Sequence, residues 1–316
     1  MKRTGMVALL FLSVSLASSL AKEKFTPQHV AKLRMVSSAE ISPDGQHIAY
    51  TLSVPRDLSK EDDGTAWSQL HVVDLKGKTR AFITDKAKVS SIQWIDGGKQ
   101  IAFLTSRDGD KGVSVYAIPF NGGEAQKVIG HETSISEYSF SPDGKQIAFL
   151  ATEPDSEKVK KQKEKGFTQE IYEEDNKFTR VWIAKVGSDD KPRMLKLKGS
   201  AYDLHWSPKG DQLAVALARD PLIDSRYMFR RVHIVNLESG KGNDKFTAGK
   251  VVNLKNPGKL GQVSWSPDGS QLAIISAVDI NDPREGRLWV TPIGKKPQWK
   301  DLTPDHEGHV SSFVWN

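Results

Sequence analysis

Four groups of residues in this 316-residue chain have types and spacing that could do chemistry. Glu173, Glu174 and Asp175 are consecutive carboxylates; a carboxylate pair withdrawn from water beside a cation makes charge-assisted hydrogen bonds. The other reading is an exposed acidic turn that balances the nearby lysines. His306 and His309, with Asp305 and Glu307 between and beside them, offer imidazole and carboxylate donors, yet no third metal ligand is identifiable and a loop between strands accounts for them. Asp108-Gly109-Asp110 lacks the spacing of a calcium loop and reads as a hairpin turn. Arg226, Arg230 and Arg231 could meet a carboxylate of a ligand or of another domain. The sequence thus points to no metal and no cofactor. A search for Gly-x-Ser-x-Gly, the strained turn that exposes a nucleophilic serine, finds no copy, so no catalytic residue is assigned.

The elements that must position these groups are set by a repeat. An apolar or aromatic residue, then Ser-Pro-Asp-Gly, a polar pair, Ile/Leu-Ala and an apolar run occur at Ile41-Ser42-Pro43-Asp44-Gly45, Phe140-Ser141-Pro142-Asp143-Gly144 and Trp265-Ser266-Pro267-Asp268-Gly269. Altered copies stand at Trp94-Ile95-Asp96-Gly97-Gly98 and Trp206-Ser207-Pro208-Lys209-Gly210, and a further one begins at Phe313-Val314-Trp315. Proline presets φ for a turn, aspartate bonds back to the local backbone and glycine supplies positive φ, so each copy predicts a hairpin. Two further strand-like segments follow each hairpin, such as Gln69 to Leu75 and Arg80 to Thr84. Four strands per unit and five units in succession predict an all-β propeller, with the start of a sixth blade and a complete ring of seven or eight. The alanine after Ile or Leu is expected to let neighbouring blades approach. Trp94, Trp206, Trp265 and Trp315, at one repeat position, are expected to pack between blades rather than stack on a ligand.

The turn glycines Gly144, Gly210 and Gly269 lie further apart than the about 40 to 50 residues a bare blade needs. The excess is a charged, helical-looking insertion from Glu153 to Thr179 and a second one from Arg219 to Phe229, on loops of the kind that carry function. The formal charge of +6 is spread along the chain, and the densest basic run, Lys158 to Lys165, is interrupted by glutamate, so nucleic acid is not a predicted partner. Residues 1–21 read as a cleaved export signal: Lys2 and Arg3, an apolar stretch from Val7 to Leu20, and Ser19-Leu20-Ala21 at the cleavage point. Residues 22–316 then form the propeller, in a periplasmic or secreted protein with no membrane span after cleavage. Without cysteine, stability must come from core burial alone.

These features resemble a known family. The Ser-Pro-Asp-Gly hairpins are similar to the TolB-type repeat. Phe25-Thr26-Pro27 leading to the first hairpin, Lys165-Gly166-Phe167 with Tyr172-Glu173-Glu174-Asp175 and Val181-Trp182, and Asp220-Pro221-Leu222 with Tyr227-Met228-Phe229 narrow this to the propeller part of prolyl-oligopeptidase-family serine peptidases of the acylaminoacyl-peptidase and dipeptidyl-peptidase kind. The resemblance implies a propeller that gates and orients peptide or acyl-peptide substrates for an α/β-hydrolase domain, which these residues do not include. It also implies that Glu173 and Glu174 bind substrate, because propeller glutamates in dipeptidyl-peptidase relatives hold its free amino terminus. The alternative is a free-standing, TolB-like periplasmic propeller that binds a protein and catalyses nothing. A sugar-active propeller enzyme finds no acidic constellation in the sequence to support it. Size exclusion and thermal melting of residues 22–316 are expected to show self-association or no cooperative transition, because two blade faces would be open; a monodisperse, cooperatively melting monomer would instead mean a ring closed by five blades.

Overall fold

A computed structural model of the chain describes residues 24–174, 176–239, 246–282, 284, 286–294 and 296–315, so the leader and Asp175 lie outside it. Among the described residues, twenty strands form five antiparallel sheets of four, each a simple meander. The first blade contains β1 (Met35–Ile41), β2 (His47–Val54), β3 (Trp67–Asp74) and β4 (Thr79–Ile83). The second has β5 (Ser90–Ile95), β6 (Gln100–Thr105), β7 (Ser114–Pro119) and β8 (Gln126–Ile129). The third has β9 (Ile135–Phe140), β10 (Gln146–Thr152), β11 (Thr179–Lys185) and β12 (Arg193–Met194). The fourth has β13 (Ser200–Trp206), β14 (Gln212–Ala218), β15 (Arg231–Ser239) and β16 (Phe246–Asn253). The fifth has β17 (Leu260–Trp265), β18 (Gln271–Ser276), β19 (Arg287–Pro292) and β20 (Lys300–Asp301). The chain is a β-propeller of five blades, as the repeat predicts. Among the described residues, a short α1 (Pro27–Ala31) precedes the first blade, and α2 (Glu157–Glu164) and α3 (Ile223–Met228) interrupt later ones. The last two fall in the two insertions.

The repeated turn works through its serine. In the first blade Ser42 Oγ donates to Asp44 Oδ1 (2.5 Å) and accepts from His47 N (2.9 Å), while Asp44 Oδ1 also accepts from Gln46 N (3.0 Å). Ser141 with Asp143 and Ser266 with Asp268 repeat the pattern. Gly45 follows at φ +69°, a conformation that would strain any residue with a Cβ. Where lysine replaces the aspartate, Ser207 Oγ instead accepts from Lys209 N, while Gly210 N still donates to Ser207 O. The hairpin therefore survives loss of its carboxylate. In the second blade Asp96–Gly98 closes the hairpin instead by a 3-10 turn in which Asp96, Gly97 and Gly98 all have positive φ.

Second strands lie between neighbouring sheets and are buried on both faces, so they read as unbroken apolar runs rather than alternating ones. Ile101 to Leu104, Ile147 to Ala151 and Leu213 to Ala218 are all buried. The alanine of each copy (Ala49, Ala102, Ala148, Ala214, Ala273) is buried in every blade, as expected for a residue that permits close approach. Four apolar clusters follow, one at each junction from first blade to fifth. Among the described residues no such cluster joins the fifth blade to the first. β1 is exposed along its length, including Met35, Val36 and Ile41.

The recurring tryptophans do more than pack. Trp94 Nε1 donates to Glu40 O (2.9 Å) and Trp265 Nε1 to His205 O (3.1 Å), in each case the residue just before the repeat aromatic of the preceding blade. Trp315 Nε1 approaches Ser264 O in the same way (3.4 Å), and Gln262 bonds Phe313 through both backbone atoms. Residues 313–315 therefore run beside β17 where a sixth inner strand would begin. Trp206 is the exception: its indole donates to Gly210 O, while its backbone N–H takes Ser139 Oγ across the junction. Trp265→Phe is expected to cost about 1 kcal/mol through the lost hydrogen bond, and Trp265→Ala about 3 to 5 kcal/mol through the cavity. Urea unfolding of the two variants measures the difference.

Candidate functional site

In a propeller the first strand of each blade lines the central channel. Here two positions of that strand are polar in all five copies. One residue before the repeat aromatic stand Glu40, Gln93, Ser139, His205 and Ser264; three before it stand Ser38, Ser91, Glu137, Asp203 and Gln262. Every inner strand also breaks register against its second strand near this point, between Val36 and Ser38, Ser90 and Gln93, Ala201 and Asp203, and Leu260 and Val263, and at Leu150/Ala151 opposite Glu137 and Ile135. Such bulges increase local twist and re-aim side chains. They turn the polar positions toward the axis while leaving the aromatic in the junction.

The third and fourth blades bring three of these residues together. Glu137 on β9 and Asp203 and His205 on β13 each place a ligand-type atom within 4.8 Å of the others. Glu137 Oε1 accepts from Leu204 N (3.2 Å), which fixes the carboxyl across the junction. His205 Nε2 lies 2.8 Å from Asp203 Oδ1, an ion pair without hydrogen-bond alignment. Although ringed by protein, the side chains keep an accessible edge, 36% for His205 and 20% for Asp203.

Their charges follow from this crowding. Burial, then the charge of Asp203 and a hydrogen bond to it, push the Glu137 carboxyl up to about 10. Burial would also raise Asp203, but His205, the Glu137 proton and Arg230 together hold it below the usual carboxylate range. For His205 burial opposes protonation and Asp203 overcomes it, so the imidazole sits above its ordinary value. The cluster therefore favours a neutral Glu137 and an ionised Asp203, and it shifts His205 toward its imidazolium form. Two like carboxylates this close cannot both ionise, and the proton goes to the one without a cation. Burial raises Glu40, further round the channel, as well.

The residues singled out from sequence lie elsewhere, with one exception. Glu173 and Glu174 occupy an exposed turn of the third-blade insertion, with Glu173 at φ +63° and Glu174 N bonded to Ile171 O (3.1 Å). Lys160, Lys163 and Lys177 of that insertion pair with Glu132, Glu157 and Asp155 instead. Asp110 is structural: it pairs with Lys127 and accepts from Tyr116 Oη and Arg107 N (2.9 Å each). The His306 loop is held by Arg287, which donates to Pro304 O and His306 O. Arg226 lies over the Tyr202 ring and Arg231 donates to Arg230 O (2.8 Å). The exception is Arg230, at the end of the fourth-blade insertion, which donates to Leu260 O and whose charge reaches Asp203. Glu137, Asp203 and His205 were missed because each reads as the polar half of a strand alternation. Their polarity at the same two positions in every repeat was the available signal.

The fold and channel define a five-bladed propeller with a polar, proton-sharing cluster on its axis. No family model matches the chain. Among curated proteins it is 24% identical over 274 residues to dipeptidyl-peptidase 5 of Porphyromonas endodontalis, covering 79% of this chain and 38% of the relative. It is 26% identical over 333 residues to dipeptidyl-peptidase 5 of Porphyromonas gingivalis, covering 93% of this chain and 45% of the relative. The acylaminoacyl peptidase of Pyrococcus horikoshii shares the fold at TM-score 0.58 and 13% identity, over 87% of this chain and 40% of that one. The chain is thus similar in sequence to proteins named dipeptidyl-peptidase 5, and it spans less than half the length of these two curated relatives.

Because His205 is raised, its contribution to stability is complete below the ordinary histidine value of 6.5 and is lost as pH rises through its folded value. Asp203 is lowered, so its contribution is present above 3.8 and lost as pH falls through its folded value. Glu137, an acid raised from 4.5 to about 10, makes stability decline across that interval. Glu137→Gln, which mimics the protonated form, is expected to flatten the decline measured by urea unfolding between pH 5 and pH 9, the range of about 4 units that the linkage relation covers here. Asp203→Asn is expected to cost about 1 kcal/mol at pH 6, where it removes the partner of a partly exposed imidazolium. The same change should drop the His205 value, read by NMR titration, below that of an ordinary histidine.

Proposed function

We propose that this chain is the non-catalytic propeller of an exported serine peptidase, and that it gates and orients peptide or acyl-peptide substrates for an α/β-hydrolase domain. One observation carries the reading. The loops from second to third strand leave all five blades at the same end, and at that end large apolar residues stand in water: Leu58, Phe167, Ile171 and Tyr172, Ile223 and Tyr227, and Val278. An apolar rim of this extent is a docking surface rather than a solvated one. It surrounds the mouth of a polar channel, which suits a domain seated on the rim and peptides that pass along the axis. Homology to dipeptidyl-peptidase 5 supports the same assignment.

Glu173 and Glu174 sit on that rim and hold the free amino terminus of the substrate by charge-assisted hydrogen bonds. The leader at residues 1–21 delivers the protein to the periplasm or the exterior, and among the described residues no helix is long and apolar enough to cross a membrane.

The reading is tested in the gene. Continuation of the frame beyond codon 316 into a Gly-x-Ser-x-Gly motif is expected, and a stop codon there with a stable, folded product would favour the protein-binding scaffold instead. In the longer protein, Tyr172→Ser with Ile223→Ser should loosen the two domains and lower kcat/KM by tenfold or more. Glu173→Gln with Glu174→Gln should raise KM about tenfold for peptides with a free amino terminus and leave acylated peptides unchanged, the loss of about 1.4 kcal/mol expected when one charged contact goes.

A further inference from the structure

We propose that Glu137, Asp203 and His205 form a binding site for one divalent transition-metal ion of the zinc type on the propeller axis. The donor set is two carboxylates and one imidazole, contributed by two adjacent inner strands, with a ligand-type atom of each within 4.8 Å of the others. Zinc takes such oxygen and nitrogen ligands at about 2.0 to 2.2 Å, so tetrahedral coordination needs them about 3.3 Å apart. Asp203 Oδ1 and His205 Nε2 already stand 2.8 Å apart, and side-chain rotation supplies the rest. Three ligands and an imidazole are too few and too soft for calcium.

A second observation points the same way. His205 Nε2 is a buried nitrogen whose contact is the ion pair with Asp203 Oδ1, poorly aligned for a hydrogen bond, so the two ligand atoms already sit side by side and can turn onto a shared ion. The supporting shell exists as well, since Leu204 N orients Glu137 from the backbone. The accessible edges of His205 and Asp203 leave a coordination position open to the channel for water or a substrate carbonyl.

Carboxylate and imidazole ligands must be deprotonated to hold a metal ion, so binding releases protons and strengthens as pH rises.

The test is equilibrium dialysis and calorimetry of the chain with Zn²⁺ at pH 6.5 and 8, with Co²⁺ absorption as a reporter of an oxygen and nitrogen ligand set. One ion per chain, net proton release in the buffer balance and tighter binding at pH 8 are expected. His205→Ala and Glu137→Gln should each weaken binding at least tenfold. Glu137→Gln keeps the neutral hydrogen-bonding form, so an unchanged melt in that variant separates lost ligation from lost fold. Absence of stoichiometric binding at micromolar Zn²⁺, or affinity retained in His205→Ala, overturns the proposal. The site is independent of the peptidase reading, which would stand or fall by its own assay.

Discussion

Everything in this molecule depends on the need to bury the second strand of each blade from both sides. A four-stranded sheet with an apolar run such as Leu213 to Ala218 at its centre cannot be stable alone, because either face left in water forfeits its burial energy. The answer is a neighbour on each side. Alanine at one repeat position lets the sheets close up, and an aromatic at another fills the space between them. The indole bonds from Trp94 and Trp265 to carbonyls of the preceding inner strand then fix how far one blade is rotated against the next.

That fixed rotation is also what creates the site. Once inner strands are locked side by side, the polar residues that the bulges turn inward meet across the junction whether or not their charges agree. Glu137 and Asp203 are such a pair, and they coexist because Glu137 keeps its proton while His205 and Arg230 support the charge on Asp203. An apolar pair of similar shape would stabilise the junction at least as well. Carboxylates held at this cost make the cluster a candidate functional site.

The insertions are free of these constraints. Those that carry α2 and α3 leave the scaffold at one end, bury almost nothing and expose Phe167, Tyr172 and Tyr227, so the core does not dictate their sequences. A rigid ring that presents variable loops separates the two demands, and it explains why one propeller scaffold serves proteins named as peptidases and others named TolB.

Much of this was legible in the residues. The Ser-Pro-Asp-Gly turns, the Ile/Leu-Ala runs and the spacing of five copies determined hairpins, blades and insertions, because turn geometry and strand burial are local properties that a repeat states several times over. Lysine at position 209 did not spoil the reading, since the serine and glycine carry the turn. The second role of the tryptophans was hidden, because a hydrogen bond to a carbonyl about fifty residues away has no local signature. So was the channel cluster. Glu137 and Asp203 lie on different blades, with Leu204 N meeting Glu137 across a separation of 67 residues, and nothing in either neighbourhood distinguishes them from other polar strand positions. The sequence by itself determined which strands form and how each blade is built, because those depend on near neighbours. Only the tertiary structure decided which charges share a proton, because that depends on the rotation between blades, and distance and desolvation at the axis exist only after the junctions have closed.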